Sequence, residues 1–345
     1  AEECRATREA VAMFDQSSFG KFVLEGEDAE AIINNVSAND MSVPVGKLVY
    51  TQWLNERGGI EADLTVTREA ANKYMVVTAA ATQVRDFQWL KDHIPAGAKA
   101  TLTDVTSGMA VLSIMGPNSR ALLQSLTHTD MSNEAFPFGT SQIIDLGYAR
   151  VRASRVTFVG ELGWELYIAT EYATGVFDAI VAAGAPFGLK HAGYHALNSL
   201  RMEKGYRHWS HDISPDDTPI EAGLGFTVAY DKPGGFIGRE ALLKQKETGV
   251  KKRLVQFALN DASKLLYHNE PIWRNGEIVG HIASGMFGHH IGKSIGMGYV
   301  ENHHGLADKA FITEGSYEIE VAGERVAAVA QLEPFYDPKS ARVKA

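Results

Sequence analysis

At 345 residues, the chain is long enough for two or three domains that each bury a core of their own. Its 45% hydrophobic and 22% charged residues are ordinary for a globular protein, and a net charge of −9 argues against nucleic acid as a partner. The single cysteine, Cys4, excludes a disulfide framework and a cysteine-rich metal site and suits a reducing compartment.

The first part of the chain mixes short strands with helices. A core-facing helix is predicted at Ala29, Ile32, Ile33 and Val36, which recur at helical spacing after Asp28, a residue suited to a helix N-terminus. Pro117 predicts the start of a second helix that runs through Leu126. Strands are predicted at Phe22–Leu24, Leu48–Tyr50, Tyr74–Thr78 and Ala110–Ile114.

The stretch Tyr50 to Arg68 predicts a β-hairpin. A polar break at 55–59 ends in Gly58-Gly59, and both glycines can adopt a positive φ. After this turn, apolar residues alternate with polar ones, so Asp63 falls on the face opposite the core side chains. Asp is depleted in strands. This pattern fits two alternatives: a solvated outer face, or a carboxylate directed into a binding channel with Tyr50 as an aromatic wall.

The middle of the chain continues with strands and helices. Strands are predicted at Ile143–Ile144, Val151–Phe158 and Glu165–Ile168, and helices around Ala173–Ile180 and at Gly193–Lys204. Because there is no regular βαβ rhythm, we predict an α+β fold. No G-x-G-x-x-G motif follows a predicted strand, so we expect no flavin or nicotinamide site on this chain.

After about residue 254 the sequence pattern changes and predicts only short β segments. The lysine-rich stretch Lys244–Arg253 predicts a boundary between a region at 1–245, made of two interleaved α+β subdomains, and an all-β barrel or jelly-roll domain at 246–345. The predicted strands of this second domain are Leu254–Leu259, Glu277–Ile282, Phe311–Thr313, Tyr317–Val321 and Val326–Ala330.

Several short motifs occur in the same order as in one known family. Besides the hairpin, they are Val11–Asp15, Ser17–Phe22, Ala38–Asp40, Asn55–Glu61, Met115–Pro117, Gly160–Glu165, Ser199–Lys204, Tyr206–Trp209, Phe236–Leu242, Gly292–Ile295 and Pro334–Pro338. Together they resemble the glycine-cleavage T-protein superfamily, whose members bind tetrahydrofolate, and most closely the folate-binding C-terminal half of dimethylglycine and sarcosine dehydrogenases and oxidases. The resemblance implies a multi-domain arrangement around a central folate channel.

The resemblance also implies roles for individual residues. Asp63 becomes the candidate general base, Glu165 the glutamate that grips the pterin, and Tyr50 a wall of the channel. Phe158 stands where many family members have Tyr, which preserves stacking but not a hydroxyl hydrogen bond. The pattern of Glu165 alone also fits a surface hairpin carboxylate. Arg201 is a candidate at the cofactor site, and we interpret Arg201 and Glu203 as a structural ion pair at the channel wall.

Three functions follow from the resemblance. The first is capture of an iminium-level one-carbon unit from an N-methyl amine to give 5,10-methylenetetrahydrofolate, with FAD on a missing domain or a partner amine dehydrogenase or oxidase. The second is direct methyl transfer from an S-, O- or N-methyl donor. The third is a non-enzymatic folate-binding assembly factor, disfavoured because Tyr206 follows Lys204-Gly205 where those relatives have Cys.

Three further expectations concern metals, membranes and location. The histidine pairs, among them His208 and His211, lack the spacing of a metal site. No apolar run approaches the ~18 residues of a membrane helix, and no secretory signal is recognised, so we expect no membrane partner. We expect a cytoplasmic protein, or a matrix protein in mitochondria. The start at Ala1 suggests a processed product or a piece of a longer polypeptide.

Overall fold

The computed structural model describes residues 1–345. Its helices are α1 (Glu2–Glu9), α2 (Ala29–Val36), α3 (Gln83–Asp92), α4 (Ser119–Gln124), α5 (Ala173–Gly184), α6 (Tyr194–Glu203), α7 (Arg239–Thr248) and α8 (Lys309–Thr313). Its strands are β1 (Val11–Asp15), β2 (Gly20–Glu25), β3 (Leu48–Leu54), β4 (Ile60–Ala70), β5 (Lys73–Thr78), β6 (Thr101–Asp104), β7 (Met109–Met115), β8 (Ser141–Leu146), β9 (Ala149–Ser154), β10 (Gly163–Ala169), β11 (Leu189–Ala192), β12 (Lys252–Leu259), β13 (Pro271–Arg274), β14 (Glu277–Gly288), β15 (Lys293–Glu301), β16 (Tyr317–Val321) and β17 (Glu324–Gln331). None of the helices has the length and apolar character needed to cross a bilayer.

One sheet has six strands in the order β11-β1-β7-β10-β9-β8. Its pairs are antiparallel except β1 with β11. Helices α4 and α5 cover one face, because Leu122, Leu123, Val176 and Ile180 recur at helical spacing and join the core of this sheet. The strand predicted as Val151–Phe158 ends earlier than expected, since β9 stops at Ser154 and an irregular segment follows.

A second sheet has five strands in the order β3-β4-β5-β2-β6. Helix α2, predicted from its apolar spacing, packs Ile32 and Ile33 onto the same core as Ala62, Leu64 and Val66 of β4. Asp28 precedes α2 as predicted, although its carboxylate accepts a hydrogen bond from the Lys99 backbone instead of capping the helix. The mixture of helices with two sheets confirms the α+β class.

The two sheets contact each other through a small apolar cluster. Met75 and Val77 of β5 pack there against Val111 of β7 and Tyr167 of β10. Residues paired directly across antiparallel strands share a face. Val77 pairs with Thr65, two residues from Asp63, and Tyr167 lies two residues from Glu165. Asp63 and Glu165 therefore lie on the facing sides of the two packed sheets.

The C-terminal part is a closed six-stranded barrel in the order β12-β15-β14-β13-β16-β17, which confirms the predicted all-β domain. The strand predicted at Phe311–Thr313 is wrong: these residues lie in α8, where the Asp308 carboxylate caps the helix by accepting from the Phe311 backbone at 2.8 Å. The division into 1–245 and 246–345 stays a prediction, and α7 runs across it.

A buried ionic cluster joins the region of the six-stranded sheet to the C-terminal barrel. Arg8 of α1 donates to Glu161, before β10, at 3.1 Å and to Glu203 of α6 at 2.8 Å. The Arg8 guanidinium also lies 3.9 Å from the ring centre of Tyr336, whose hydroxyl donates to Glu161. Glu203 accepts from the backbone of His290 at 2.7 Å, so the same cluster fixes α6 against the barrel.

Candidate functional site

The β3–β4 hairpin positions the central carboxylate of the site. Asn55 holds the turn, because its side-chain oxygen accepts from the Arg57 and Gly59 backbones at 3.0 Å each. The prediction of a hairpin is confirmed, but only Gly58 has a positive φ, of 84°. Gly59 is needed for a different reason: a Cβ there would lie 1.8 Å from the Pro215 carbonyl oxygen.

Asp63 lies opposite Gln52 in the register of this hairpin. Gln52 Nε2 donates to Asp63 Oδ1 at 2.8 Å. Burial raises the pKa of Asp63 to about 6, against the opposing effects of hydrogen bonding from Gln52 and Tyr50 and of the positive charge of Arg207. Asp63 is half-buried, and its raised pKa differs from that expected of a carboxylate on a solvated outer face. With this pKa the side chain can exchange a proton near neutral pH.

The Tyr50 side chain faces the same space. Tyr50 pairs with Thr65, so it shares the face of Asp63 and lies two residues from Gln52. Burial, followed by the charge of Asp63, raises the pKa of its phenol well above the ordinary value. Tyr50 therefore stays a neutral hydroxyl that can donate to Asp63, while its role as a wall of a folate channel stays a prediction.

Behind Asp63 lies a polar pair that the sequence analysis missed. Gln52 and Thr227 are 0% and 1% exposed, and the Thr227 hydroxyl contacts Gln52 Oε1. A Gln within an otherwise apolar and β-branched strand was the available signal, because the hairpin register sets it directly opposite Asp63. Thr227 gave no signal, since it comes from a loop 175 residues away in sequence.

Glu165 is buried on the facing sheet. Its Oε2 accepts from the Tyr167 hydroxyl at 2.6 Å, and Tyr167 is the only side chain that hydrogen-bonds this carboxyl group. Burial raises the pKa of Glu165 above its ordinary value. The interpretation of Glu165 as a surface hairpin carboxylate does not fit this burial. One carboxylate oxygen remains available to a ligand donor.

Phe158 lies in the irregular segment between β9 and β10. Its ring stacks on that of Tyr206, with centroids 6.1 Å apart and planes inclined by 17°. Both rings are half-buried and keep accessible surface. They can therefore offer an apolar edge to a planar group, and the role of Phe158 in stacking on a cofactor stays a prediction.

Arg201 sits at the end of α6 with 2% exposure. Its guanidinium bonds Asp212, Asn198 at 2.7 Å and the Tyr206 carbonyl at 3.1 Å. The prediction that Arg201 pairs with Glu203 is wrong, because each has a separate buried partner. The charge of Arg201 is committed to the protein, so we propose that it serves the site by holding the 206–212 loop.

A second arginine, Arg207, was missed because it lies in a loop without periodicity. Its guanidinium bonds backbone carbonyls of Gly205 at 2.6 Å and Ala222 at 2.7 and 3.0 Å. Its charge lowers the pKa of Asp63 and of Tyr50 against the effect of burial. Arg207 therefore acts as a fixed cation beside the site.

The histidines of the same loop do not form a metal centre. His208 Nε2 lies 3.0 Å from the Tyr194 hydroxyl, and its ring contacts His211 with centroids 4.8 Å apart. No group of three or more His, Cys, Asp or Glu side chains is arranged to hold a metal ion. Burial lowers the pKa of His208, so its ring stays neutral at physiological pH.

Comparison with known proteins identifies the arrangement. The GCVT N-terminal domain family matches residues 1–232, and the glycine cleavage T-protein C-terminal barrel domain family matches residues 252–337. The chain belongs to the glycine cleavage T-protein family. A solved structure, the glycine cleavage system aminomethyltransferase T from Bartonella henselae, superposes with a TM-score of 0.85 at 24% identity, covering 98% of this chain and 89% of that one. This likeness confirms the T-protein fold.

Two curated relatives of this T-protein family member are much longer than the chain. The 4-methylaminobutanoate oxidase (formaldehyde-forming) of Paenarthrobacter nicotinovorans is 42% identical over 100% of this chain and 41% of its own length. Human mitochondrial sarcosine dehydrogenase is 42% identical over 99% of this chain and 39% of its own length. The chain spans about two-fifths of the length of these relatives.

Proposed function

We propose that this chain is a tetrahydrofolate-dependent one-carbon transferase. It would capture the carbon released when an N-methyl amine is oxidised and yield 5,10-methylenetetrahydrofolate. The observation that carries the proposal is Asp63: a carboxyl group with a pKa raised to about 6, hydrogen-bonded to Gln52 and set opposite Glu165 within a T-protein fold.

The side chains present fit a reduced folate. Glu165 has an uncommitted carboxylate oxygen for the N–H donors at a pterin edge, and charge-assisted bonds of this type are strong. Phe158 and Tyr206 give the adjoining apolar surface, and Tyr50 forms the wall on the other sheet. When bound, tetrahydrofolate would supply the nucleophilic nitrogen for the carbon transfer.

Asp63 is the proposed general base. A nitrogen that forms a new bond to carbon must lose a proton, and a carboxylate within reach can accept it. With a pKa of about 6, Asp63 is largely ionised at neutral pH and still basic enough to take this proton. Gln52 holds the accepting oxygen in place from behind the site.

The proposed carbon donor is an N-methyl amine, which would be oxidised by a separate domain or subunit that contains flavin. The names of the two relatives support this proposal. The first is an oxidase described as formaldehyde-forming, and the second is a dehydrogenase named for sarcosine, which is an N-methyl amine. Their additional length would accommodate such a domain. FAD is accordingly proposed for that domain or partner.

Calorimetric titration of the chain with tetrahydrofolate tests the proposal directly. A ligand at 100 times its dissociation constant stabilises the native state by about 2.7 kcal/mol, so binding should also raise the melting temperature. p-Aminobenzoylglutamate, which lacks the pterin, is the matched control and should bind more weakly. Absence of both heat and thermal stabilisation at saturating tetrahydrofolate would refute the function.

A further inference from the structure

The Thr227 hydroxyl has two possible acceptors. It contacts Gln52 Oε1, and it lies 2.7 Å from the carbonyl oxygen of Leu224. A hydroxyl carries one proton, so it donates to only one of them at a time. The Leu224 carbonyl already accepts from the Thr227 backbone N–H at 2.9 Å. The Leu224 carbonyl therefore stays paired whether or not the Thr227 hydroxyl also donates a hydrogen bond to it.

The side-chain amide of Gln52 can also pair in two orientations. This amide lies between Asp63 and Thr227, and an amide has a donor end and an acceptor end that a rotation of about 180° exchanges. Because Gln52 and Thr227 are 0% and 1% exposed, bulk water does not reach them to replace a lost partner. Any arrangement of this relay must pair every polar atom within the protein.

The ionised state of Asp63 selects one arrangement. A carboxylate only accepts, so Gln52 Nε2 must face Oδ1, as observed at 2.8 Å. Gln52 Oε1 then faces Thr227 and accepts a hydrogen bond from its hydroxyl. Leu224 keeps its bond to the Thr227 backbone, and no group is unpaired.

The protonated state permits the reverse arrangement. The carboxyl O–H of Asp63 would donate to Gln52 Oε1 after rotation of the amide. Gln52 Nε2 would then donate to the Thr227 hydroxyl oxygen. The Thr227 hydroxyl would in turn donate to the Leu224 carbonyl oxygen, which lies 2.7 Å away. Every member again has a partner.

We propose that Asp63, Gln52, Thr227 and the Leu224 carbonyl form a reversible hydrogen-bond relay that reverses direction when Asp63 gains or loses a proton. The relay pairs the general base in both of its protonation states, so accepting a proton leaves no buried group unpaired. Gln52 is thus a positioning residue, and its importance for turnover rests on the proposed function of Asp63.

Other ionisable groups also act on Asp63. Arg207, from the loop after α6, favours the carboxylate, and so does hydrogen bonding from Tyr50 on β3. Asp86 on α3 opposes ionisation through its own charge. Arg207 and Asp86 bond other groups and not Gln52 or Thr227. Tyr50 also hydrogen-bonds the Gln52 side chain, and because a phenol hydroxyl can donate or accept, it can pair with either end of the amide. The direction of the amide therefore follows the proton on Asp63.

Nuclear magnetic resonance of the whole chain tests the reversal. In protein with ¹⁵N-labelled glutamine and methyl-labelled threonine, the Gln52 amide is assigned by its loss in Gln52→Leu. As the pH falls from 8 to 5, the Gln52 amide protons should gain a cross-relaxation signal to the Thr227 methyl group, with a midpoint near 6. This change should be absent in Asp63→Asn, which cannot titrate. An amide that keeps its direction throughout the titration would overturn the relay.

The pH profile of one-carbon capture provides a second test. Gln52→Leu removes the donor to the ionised carboxylate, so the limb of the profile that reports Asp63 should move up by about one to two pH units. Gln142→Leu, a glutamine on β8 that bonds the Ala135 carbonyl, is the matched control and should leave the limb in place. An unmoved limb in Gln52→Leu would overturn the relay. If Asp63→Asn captured carbon at the wild-type rate, the proposed role of Asp63 as general base would fail, whatever the amide does.

Discussion

The Tyr167 hydroxyl donates to Glu165 Oε2 at 2.6 Å along the same face of β10. This bond leaves the second carboxylate oxygen of Glu165 free while it fixes the orientation of the group. The apolar contact of the Tyr167 ring with Met75 and Val77 holds the pair against the sheet that carries Asp63. One residue thus orients the proposed pterin acceptor and also connects the two sheets.

Glu165→Gln should weaken tetrahydrofolate binding. The substitution replaces a charged acceptor by a neutral one, and losing one charge-assisted bond costs about 1.5–3 kcal/mol, or roughly a 10- to 150-fold rise in the dissociation constant. Calorimetric titration measures the effect. Tyr167→Phe is the matched control, because it keeps the ring and the Glu165 charge, and it should change affinity by less. Equal affinities for Glu165→Gln and the wild type would remove Glu165 from the site.

Arg8→Met should destabilise the whole molecule. Arg8, Glu161 and Glu203 are at most 2% exposed, so the substitution leaves two buried carboxylates without this partner. Breaking a buried ion pair from one side costs about 3–5 kcal/mol. Urea unfolding measures the loss, and Lys99→Met is the control. The Lys99–Glu27 pair is 71% exposed on both sides, so its removal should cost less than about 1 kcal/mol. Similar losses for the two variants would contradict the assigned role of the cluster.

Parts of this fold follow directly from periodicity. Ala62, Leu64 and Val66 alternate along β4, and Ile32, Ile33 and Val36 recur along α2, so both elements were predictable. The segment Phe311–Thr313 was misassigned because its aromatic and β-branched residues favour a strand, while the cap at Asp308 decides for a helix. Local propensity is weak where a cap and tertiary packing oppose it.

The site was predictable only in part, for a related reason. Asp63 and Glu165 lie in strands with recognisable motifs, so their positions could be inferred. Thr227 and Arg207 act from loops, where position depends on tertiary contacts and not on periodicity. The pairing of Arg8 with Glu203 spans 195 residues. No local pattern could therefore have shown that Glu203 pairs with Arg8 and not with the nearby Arg201.

Asp63→Asn should stabilise the chain at neutral pH and have less effect in acid. The folded pKa of about 6 lies above the ordinary pKa of 3.8, so the native state binds more protons than the unfolded state between these values. The destabilisation by Asp63 is therefore absent below pH 3.8, grows as the pH rises, and is complete above 6. Its full size is about 1–3 kcal/mol. Melting curves at pH 5 and 7.5 should show the Asn variant gaining on the wild type as the pH rises; a constant difference would contradict this linkage.

The same substitution also separates catalysis from binding. Asn keeps the shape of Asp63 but cannot accept a proton, so tetrahydrofolate affinity should change little. Capture of the one-carbon unit should fall by about 100- to 10,000-fold, the usual contribution of a positioned general base. The assay supplies the carbon from an amine-oxidising flavoprotein and measures methylenetetrahydrofolate above the uncatalysed background. Amine oxidation should continue and release free formaldehyde. Asp145→Asn, on β8 with an 80% exposed side chain, is the matched control and should capture carbon normally. Wild-type capture by Asp63→Asn would show that the half-buried carboxylate serves structure alone.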